Sequence, residues 1–565
     1  MGCEKPIPAD TIEQSRLPRP VERAAGIGRD GIEISEGSNI DRHIRQASSI
    51  HPDVAGRAVM AQPLDDTPRQ LDRLTLFGSA DAPALADRQG TLSYADLEQA
   101  VGSIATALTR LGLRRGDRVA TWLGKTRVAC LMPLAAARAG IIHVPINPLL
   151  KRVQVAHILA DSGTTLLITG DQRRGTLEEG DVPTGCAITG EETLFAPNDV
   201  MPPSDADPAE IAAILYTSGS TGRPKGVVLS HANLWLGAIA VAHYLKLEAS
   251  DRTLCVLPLS FDYGQNQLLS TWAAGGCAVP LDYLTARDVV KAMERDGVTV
   301  LAGVPPLWTQ LADIVWPAEI AARLRVITNS GGRLPIPLVR RLRALFPNAA
   351  LHSMYGLTEA FRSTSLDPAL VDAHPDSIGS AIPFAEILVL RPDGAAVRDD
   401  EPGELVHAGP LVAQGYWRDP ERTAARFKPA PSAARFGGLA VWSGDTVIRG
   451  SDGLIRFVGR EDEMIKTAGN RVSPTEIEEA AIASGLAREA VSWGIPDDRI
   501  GQAILLAVAA RPEDVEALQR FLRQELPNFM QPKSILRFDD LPRNANGKLD
   551  RTEIHQKYSC LDGAE

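Results

Sequence analysis

From Leu71 onward, apolar residues fall into two alternating patterns. One is helical: Ser93 and Asp96 form a capping-box signal, and Leu97, Val101, Ile104, Leu108 and Leu111 then recur at three- and four-residue spacing until Gly112 closes the run. The other is short and strand-like: RVATWL, IIHVPI, TTLLIT, IAAILY, TLCVLPL and VTVLAGV, most of them followed by amphipathic helical stretches. Alternation of this kind predicts an α/β protein with largely parallel, buried sheets.

Near residue 459 the pattern changes. GLIRFVGREDEMIKTAGNRVSPTEIEEA predicts two short strands and then a helix capped near Ser473, with enough chain beyond it for a small α+β domain. The charged GREDE segment is the expected hinge. Residues 1–70 are rich in Pro, Gly, Asp, Arg and Ser, lack periodicity, and read as a poorly ordered extension. The expected division is 1–70 extension, 71–459 large domain and 460–565 small domain. A length of 565 residues, too great for one core, agrees with more than one folding unit.

Composition narrows the function. With 44% hydrophobic and 23% charged residues the chain is ordinary for a globular protein, and its net charge of -11 argues against nucleic-acid binding, which needs clustered Lys and Arg. An acidic chain can still hold an anionic ligand through backbone N–H groups. The six cysteines are scattered without a CxxC pair, which points to a reducing cytoplasm rather than a disulfide framework or zinc site. No apolar stretch reaches membrane-span length, and MGCEKPIPADTIEQ has no apolar core, so no signal peptide is expected. Gly2-Cys3 hints at lipidation, but Pro6 stands where a myristoylation pattern needs Ser or Thr.

The most informative window is IAAILYTSGSTGRPKGVVLSH, residues 211–231. An apolar strand ends at Tyr216, a run of Thr, Ser and Gly with Lys225 follows, and then come a second strand and a helix beginning near Ala232. Glycines let N–H groups turn inward and hydroxyls add donors, which suits a polyphosphate; the spacing is not that of a Walker A loop. A surface loop can have the same composition. Its position between two apolar strands favours the ligand-binding reading.

YTSGSTGRPKG resembles the signature loop of the adenylate-forming superfamily, which includes acyl-CoA synthetases, nonribosomal adenylation domains and luciferases. MYGLTEA (354–360), SGD (443–445), GREDEMIKTAGNRVSPTEIE (459–478) and PRNANGK (542–548) follow in the family's order, so the resemblance spans about residues 71–555. It implies a large multi-sheet α/β N-terminal domain and a small mobile α+β C-terminal domain. It also implies ATP and Mg²⁺ use and formation of an acyl-adenylate that passes to a thiol, of CoA or of a phosphopantetheine carrier.

By this resemblance Thr217, Ser218, Gly219, Ser220, Thr221, Gly222 and Lys225 hold the β- and γ-phosphates. Thr358 contacts the α-phosphate and Glu359 is the magnesium ligand; without the family context these two would read as an ordinary helix start. Gly331, Gly332 and Arg333 lie along adenine, with Tyr355 and Gly356 beside the base. Most relatives carry a smaller or acidic residue at the Arg333 position. Asp445 accepts from the ribose hydroxyls, assisted by Arg460. Lys548 is the catalytic lysine of adenylation. Lys466 serves the second half-reaction after rotation about Asp462, with Gly469 lining the thiol passage.

LPLSFDYGQNQL places Asp262 where amino-acid-activating relatives often carry the aspartate that pairs with a substrate ammonium, with Tyr263 and Asn266 beside it. Arg362, three residues past Glu359, is expected to point from the start of that helix into the pocket. Together they favour a polar acid over a long alkyl chain, although Asp262 and Arg362 can equally serve structural hydrogen bonds. NPLLKRVQVAHILADSG, SFDYGQNQ and YGLTEAFRSTSL resemble the AMP-forming acyl-CoA ligases associated with exosortase and exopolysaccharide loci. No GxxS segment in a helical setting follows Lys548, so a carrier protein is expected to act in trans. The expected activity is an AMP-forming ligase acting on a small carboxylic acid. The alternatives are a stand-alone amino-acid adenylating enzyme loading a carrier, an adenylating enzyme with an amine or oxygen acceptor, and a nucleotide-binding regulator without catalysis. Lys548, Lys466, Glu359 and the complete loop speak against the last.

Overall fold

Six parallel strands form the centre of the largest sheet in the computed structural model: Pro83–Asp87, Cys277–Pro280, Arg252–Cys255, Val300–Gly303, Val326–Asn329 and Ala350–Tyr355. The structure describes residues 64–195, 199–217, 224–460, 464–467, 470–497, 500–526, 528–544 and 547–558. The expectations for residues 1–63, for Ser218, Gly219, Ser220, Thr221 and Gly222, and for Asp462 and Gly469 lie outside these.

A second sheet carries the parallel strands Leu166–Thr169, Arg118–Trp122, Ile142–Pro145 and Ile211–Thr217, with Lys225–Ser230 paired antiparallel to the last. Helices cover these strands as their apolar periodicity predicts. The helix Tyr94–Arg110 starts at the Ser93–Asp96 capping box and buries Leu97, Val101, Ile104 and Leu108. Leu111, expected on the same face, is instead the helix cap and is exposed, because the helix already ends at Arg110.

The expectation of largely parallel sheets needs a correction. Beyond Tyr355 the large sheet continues antiparallel through Thr364–Ser365, Ser377–Ala381, Ile455–Arg460, Leu439–Arg449, Pro402–Ala408 and Glu386–Leu390. No helix connects Glu386–Leu390 to Pro402–Ala408 or Leu439–Arg449 to Ile455–Arg460, and strands joined without a crossover pair antiparallel.

A third sheet of Ile465–Thr467, Asn470–Val472, Ala487–Asp497, Gly501–Ala510 and Ser534–Phe538 makes the small domain, with cores of its own around Ile477, Leu506 and Leu522 on one face and Trp493, Leu505 and Ile554 on the other. Its helix Pro474–Ala483 does start after Ser473. The Ser473 hydroxyl donates to Val458 O instead of capping, and Pro474 at the first helical position lacks an N–H that would need a cap. Glu478 on this helix takes both guanidinium nitrogens of Arg551, at 2.8 and 2.7 Å, and so ties the C-terminal helix Arg551–Tyr558 to it.

Candidate active site

The strand Ile211–Thr217 delivers Thr217 to the start of the glycine-rich loop, and the strand Lys225–Ser230 takes the chain back from it, with Thr217 paired to Lys225 in register. The Thr217 hydroxyl is buried and has no hydrogen-bond partner. His157 Nε2 lies 2.9 Å from Pro224 O, just before Lys225 in the chain.

Lys225 Nζ donates to Glu359 Oε1 at 3.1 Å and to the Tyr416 hydroxyl at 2.7 Å, and the Tyr416 hydroxyl donates to the same Oε1 at 2.6 Å. Glu359 is buried. Burial opposes its ionisation, but Lys225, Tyr416 and Arg426 outweigh burial and hold it below the ordinary glutamate value. Burial in turn pulls Lys225 below the ordinary lysine value, against the attraction of Glu359. Tyr416, in the short strand Gly415–Tyr416, had no motif to mark it.

The expected helix at Thr358-Glu359 is a single 3-10 turn, Thr358–Ala360. Phe361 ends it with φ 59 and ψ -72, a strained γ-turn-like geometry that no helix accommodates. The cost is met by burial of the Phe361 ring against Gly237, where a Cβ would collide with it. This kink, rather than helical periodicity, turns Arg362 inward.

Arg362 is 2% exposed and donates to Ser330 Oγ at 2.8 Å. Its guanidinium lies over the Tyr263 ring at 4.6 Å and 3.9 Å from Asp262 Oδ2, and its Nε has no partner. Gly356 packs against its backbone. Asp262 opens the helix Asp262–Ala273, where its charge suits the helix N-terminus, and accepts from Thr358 Oγ1 at 3.0 Å. Burial raises Asp262 above the ordinary aspartate value, with Arg362, Thr358 and Lys548 opposing.

A cavity of about 20 Å³, lined by Tyr263, Asn266, Thr328, Met354, Arg362 and Val241 among others, lies beside this cluster. Asn266 Oδ1 is buried without a partner. Three of the four residues expected at the pocket line this cavity; Asp262 does not. Thr328 and Met354, which sequence reasoning missed, sit near the carboxyl ends of adjacent parallel strands, where open α/β sheets place ligands.

On the opposite side Tyr355 donates its hydroxyl to Asp445, Arg460 Nε lies 3.4 Å from the same carboxylate, and the Tyr355 ring is tilted over Phe457. Asp445 and Arg460 are register partners on neighbouring strands. Asn329 Nδ2 donates to Gly332 O at 2.8 Å. Arg333, in the segment expected along adenine, is ion-paired with Glu479 of the small domain.

Lys548 comes from a tight turn in which Asn544 N donates to Lys548 O at 2.8 Å and Lys548 N to Asn544 Oδ1 at 3.1 Å. Its side chain lies along Gly331, where φ is 78 and a Cβ would be 3.0 Å from Lys548 Cε. A side chain at 331 would thus be strained and would displace the lysine. Crowding by protein atoms pulls Lys548 below the ordinary lysine value and Asp262 opposes this; the lysine keeps solvent access, which moderates that pull. Lys466 lies in the strand Ile465–Thr467, paired to Arg471.

The arrangement therefore has cations for an anion chain, a carboxylate held ionised, a small cavity lined by Tyr263, Asn266 and Arg362, and a lysine from the small domain against Gly331. Residues 76–417 match the AMP-binding enzyme family and residues 476–548 the AMP-binding enzyme C-terminal domain, and the chain belongs to this family of adenylating enzymes. A feruloyl-CoA synthase from Amycolatopsis sp. is 30% identical, covering 84% of this chain and 96% of that relative. An L-proline--[L-prolyl-carrier protein] ligase from Pseudomonas fluorescens is 29% identical, covering 83% and 94%. The crystal structure of ATP-bound MatB from Rhodopseudomonas palustris superposes with a TM-score of 0.79 at 26% identity, covering 86% of this chain and 98% of that one.

Proposed function

We propose that this chain is an AMP-forming ligase that activates a small carboxylic acid as its acyl-adenylate and transfers the acyl group to a thiol. The observation that carries the reading is the placement of Lys548, on the small domain, against Gly331 of the large one. There its charge is attracted by Asp262 and opposed by Arg362 and Arg460.

In the first half-reaction a substrate carboxylate oxygen attacks the α-phosphorus of ATP. An acyl O–P bond forms, the bond from the α-phosphorus to the bridging oxygen breaks, and pyrophosphate leaves. The residues' task is positioning and charge stabilisation. Lys548 bridges the carboxylate and the α-phosphate, Thr358 contacts that phosphate, and Thr217 and Lys225 hold the outer phosphates together with Ser218, Gly219, Ser220, Thr221 and Gly222. Tyr355, Gly356 and the Gly331–Arg333 segment border the base, and Asp445 with Arg460 binds the ribose. Arg333 acts through Glu479 rather than on the base.

Glu359 is the residue that would hold magnesium, whose contribution when bound is neutralisation of phosphate charge. The donor set fits: Glu359 is held ionised, and among the described residues no group of three or more His, Cys, Asp or Glu forms a protein cage, in keeping with an ion bound largely by substrate phosphates and water. In the second half-reaction the thiol attacks the acyl carbonyl and AMP leaves. Lys466 serves this step after the small domain turns about Asp462, with Gly469 on the thiol path. No helix among the described residues is long and apolar enough to cross a membrane, and we place the activity in the cytoplasm.

A second reading, amino-acid activation for a carrier protein in trans, is supported by Asp262 and by the resemblance to the prolyl-carrier-protein ligase. Acid-dependent ATP–pyrophosphate exchange over a panel of acids tests activation, and CoA against a phosphopantetheine carrier protein then tests the acceptor. Absence of exchange with every acid would sink the proposal.

A further inference from the structure

Arg426 belongs to no motif of the chain, yet the fold delivers it to the site. It is the last residue of the helix Pro420–Arg426, whose N-cap Asp419 accepts from Arg422 N. Two contacts brace this helix against the site: Tyr416 N donates to Thr423 Oγ1 at 2.9 Å, and the next residue, Phe427, sets its ring edge-on to Tyr416 at 5.3 Å. From there the Arg426 side chain runs to Gly444, within the strand Leu439–Arg449. Gly444 has φ 67, and a Cβ on it would lie 2.8 Å from Arg426 Nη1, so glycine is what lets the guanidinium through.

The guanidinium thus stands between the Lys225–Tyr416–Glu359 triad and the Gly444–Asp445 stretch of that strand. Its Nε is buried without a partner, and among the described residues no carboxylate forms an ion pair with it. The site's other orphan donor near the loop is the buried hydroxyl of Thr217. Its charge is felt at Glu359, Tyr416 and Tyr355, where it favours the anionic form, and at Lys225, where it disfavours the cation. A half-buried guanidinium with an unpartnered Nε, set near Glu359 but opposing the neighbouring Lys225, is placed to receive a further anion.

Taking the adenylating activity proposed above as the premise, we infer that Arg426 is a binding residue for the pyrophosphoryl end of ATP, clamping the leaving group with Lys225 and Thr217. A planar fork of N–H donors suits a diphosphate better than a point charge does, and it would hold pyrophosphate equally in the reverse direction.

The test is acid-dependent ATP–pyrophosphate exchange by the full-length protein and its Arg426→Gln and Arg426→Lys variants, with AMP as competitive inhibitor and melting temperature as the fold control. Expected for R426Q is a rise of about tenfold in KM for both ATP and pyrophosphate, the loss of one charge-assisted contact, with the AMP inhibition constant changed less than about twofold. R426K should recover part of the loss. Equal weakening of AMP and ATP would place the guanidinium at the ribose and overturn the inference, as would unchanged KM for ATP and pyrophosphate. Arg426→Met, which keeps the apolar stem, replaces R426Q if that variant does not fold. Wild-type protein without exchange on any acid would instead refute the premise.

Discussion

Arg333, in the glycine segment of the large domain, is ion-paired with Glu479 on the first helix of the small domain. Neither side chain is fully exposed, and burial raises Glu479 above the ordinary glutamate value while Arg333 opposes the rise. This pair joins the two domains in the arrangement that brings Lys548 to Gly331.

Removing it should therefore slow one half-reaction selectively. Arg333→Ala is expected to lower the adenylation rate by about two- to fivefold, the scale of a part-exposed ion pair, and to leave thioester formation from supplied acyl-adenylate unchanged or faster. Single-turnover measurement of each half-reaction checks this. Equal slowing of both would show that Arg333 serves the large domain alone.

Lys548→Ala is expected to lower the adenylation rate by about 100-fold or more, with KM for ATP nearly unchanged, because the lysine acts on charge that develops in the transition state. The pH profile adds a signed test. Rising pH removes the proton the lysine needs, and its value lies below that of an ordinary lysine, so adenylation should decline in alkali before pH 10.4. Lys548→Arg, which does not deprotonate in this range, should lose that limb in whatever activity remains.

Matched pairs of acids separate the two substrate readings. If Asp262 pairs with a substrate ammonium, the deaminated analogue leaves a buried carboxylate short of a partner, at a cost on the order of 2–5 kcal/mol, or at least roughly thirtyfold in the specificity constant. Asp262→Ala should then shrink that preference by slowing the amino acid most. If Asp262 serves only Thr358 and Arg362, the variant should slow all acids alike, and wild-type rates for amino and deamino partners should be equal. Pyrophosphate release with both proteins gives the answer.

Stability should fall as pH drops below neutrality. His143, His407 and His352 are buried, and burial lowers them to about 3, about 3 and about 4. Between these values and the unfolded value near 6.5 the unfolded chain binds more protons, so stability rises with pH in that window, by about 1.4 kcal/mol per pH unit for each histidine once it is well below 6.5. Denaturant titrations at pH 5 and pH 7 measure the slope. His143→Gln, which retains an amide for Thr121, should reduce it even if it costs stability at both pH values.

Much of the parallel architecture was legible because its strands are continuous apolar runs and its first helix carries both a capping box and a clean apolar stripe. The antiparallel half, from Thr364 to Arg460, was not: its strands show mixed burial, as in Glu386–Leu390, and partners such as Ser377–Ala381 and Ile455–Arg460 lie far apart in the chain. Thr358-Glu359 misled for a different reason. Its residue types suit a helix start, and only the packing of Phe361 against Gly237 stops the helix after one turn. Lys225 and Glu359 stood out in motifs, whereas Tyr416, which binds both, lies 191 residues from Lys225 and in no motif. Arg426 escaped for the same reason, as an arginine at the end of an ordinary surface helix.

The register pairing of Asp445 with Arg460 sets a geometric limit on the small domain. Arg460 ends its strand beside that carboxylate, and Ile465 already begins the first strand of the small domain. The intervening chain, fully drawn out, reaches about 17 Å at 3.3–3.6 Å per residue. However the small domain turns, its point of attachment stays on a tether of that radius centred beside Asp445. The motion available is a swing within that reach, never a departure. The tether therefore keeps the local concentration of Lys548 at the large domain independent of how much protein is in solution.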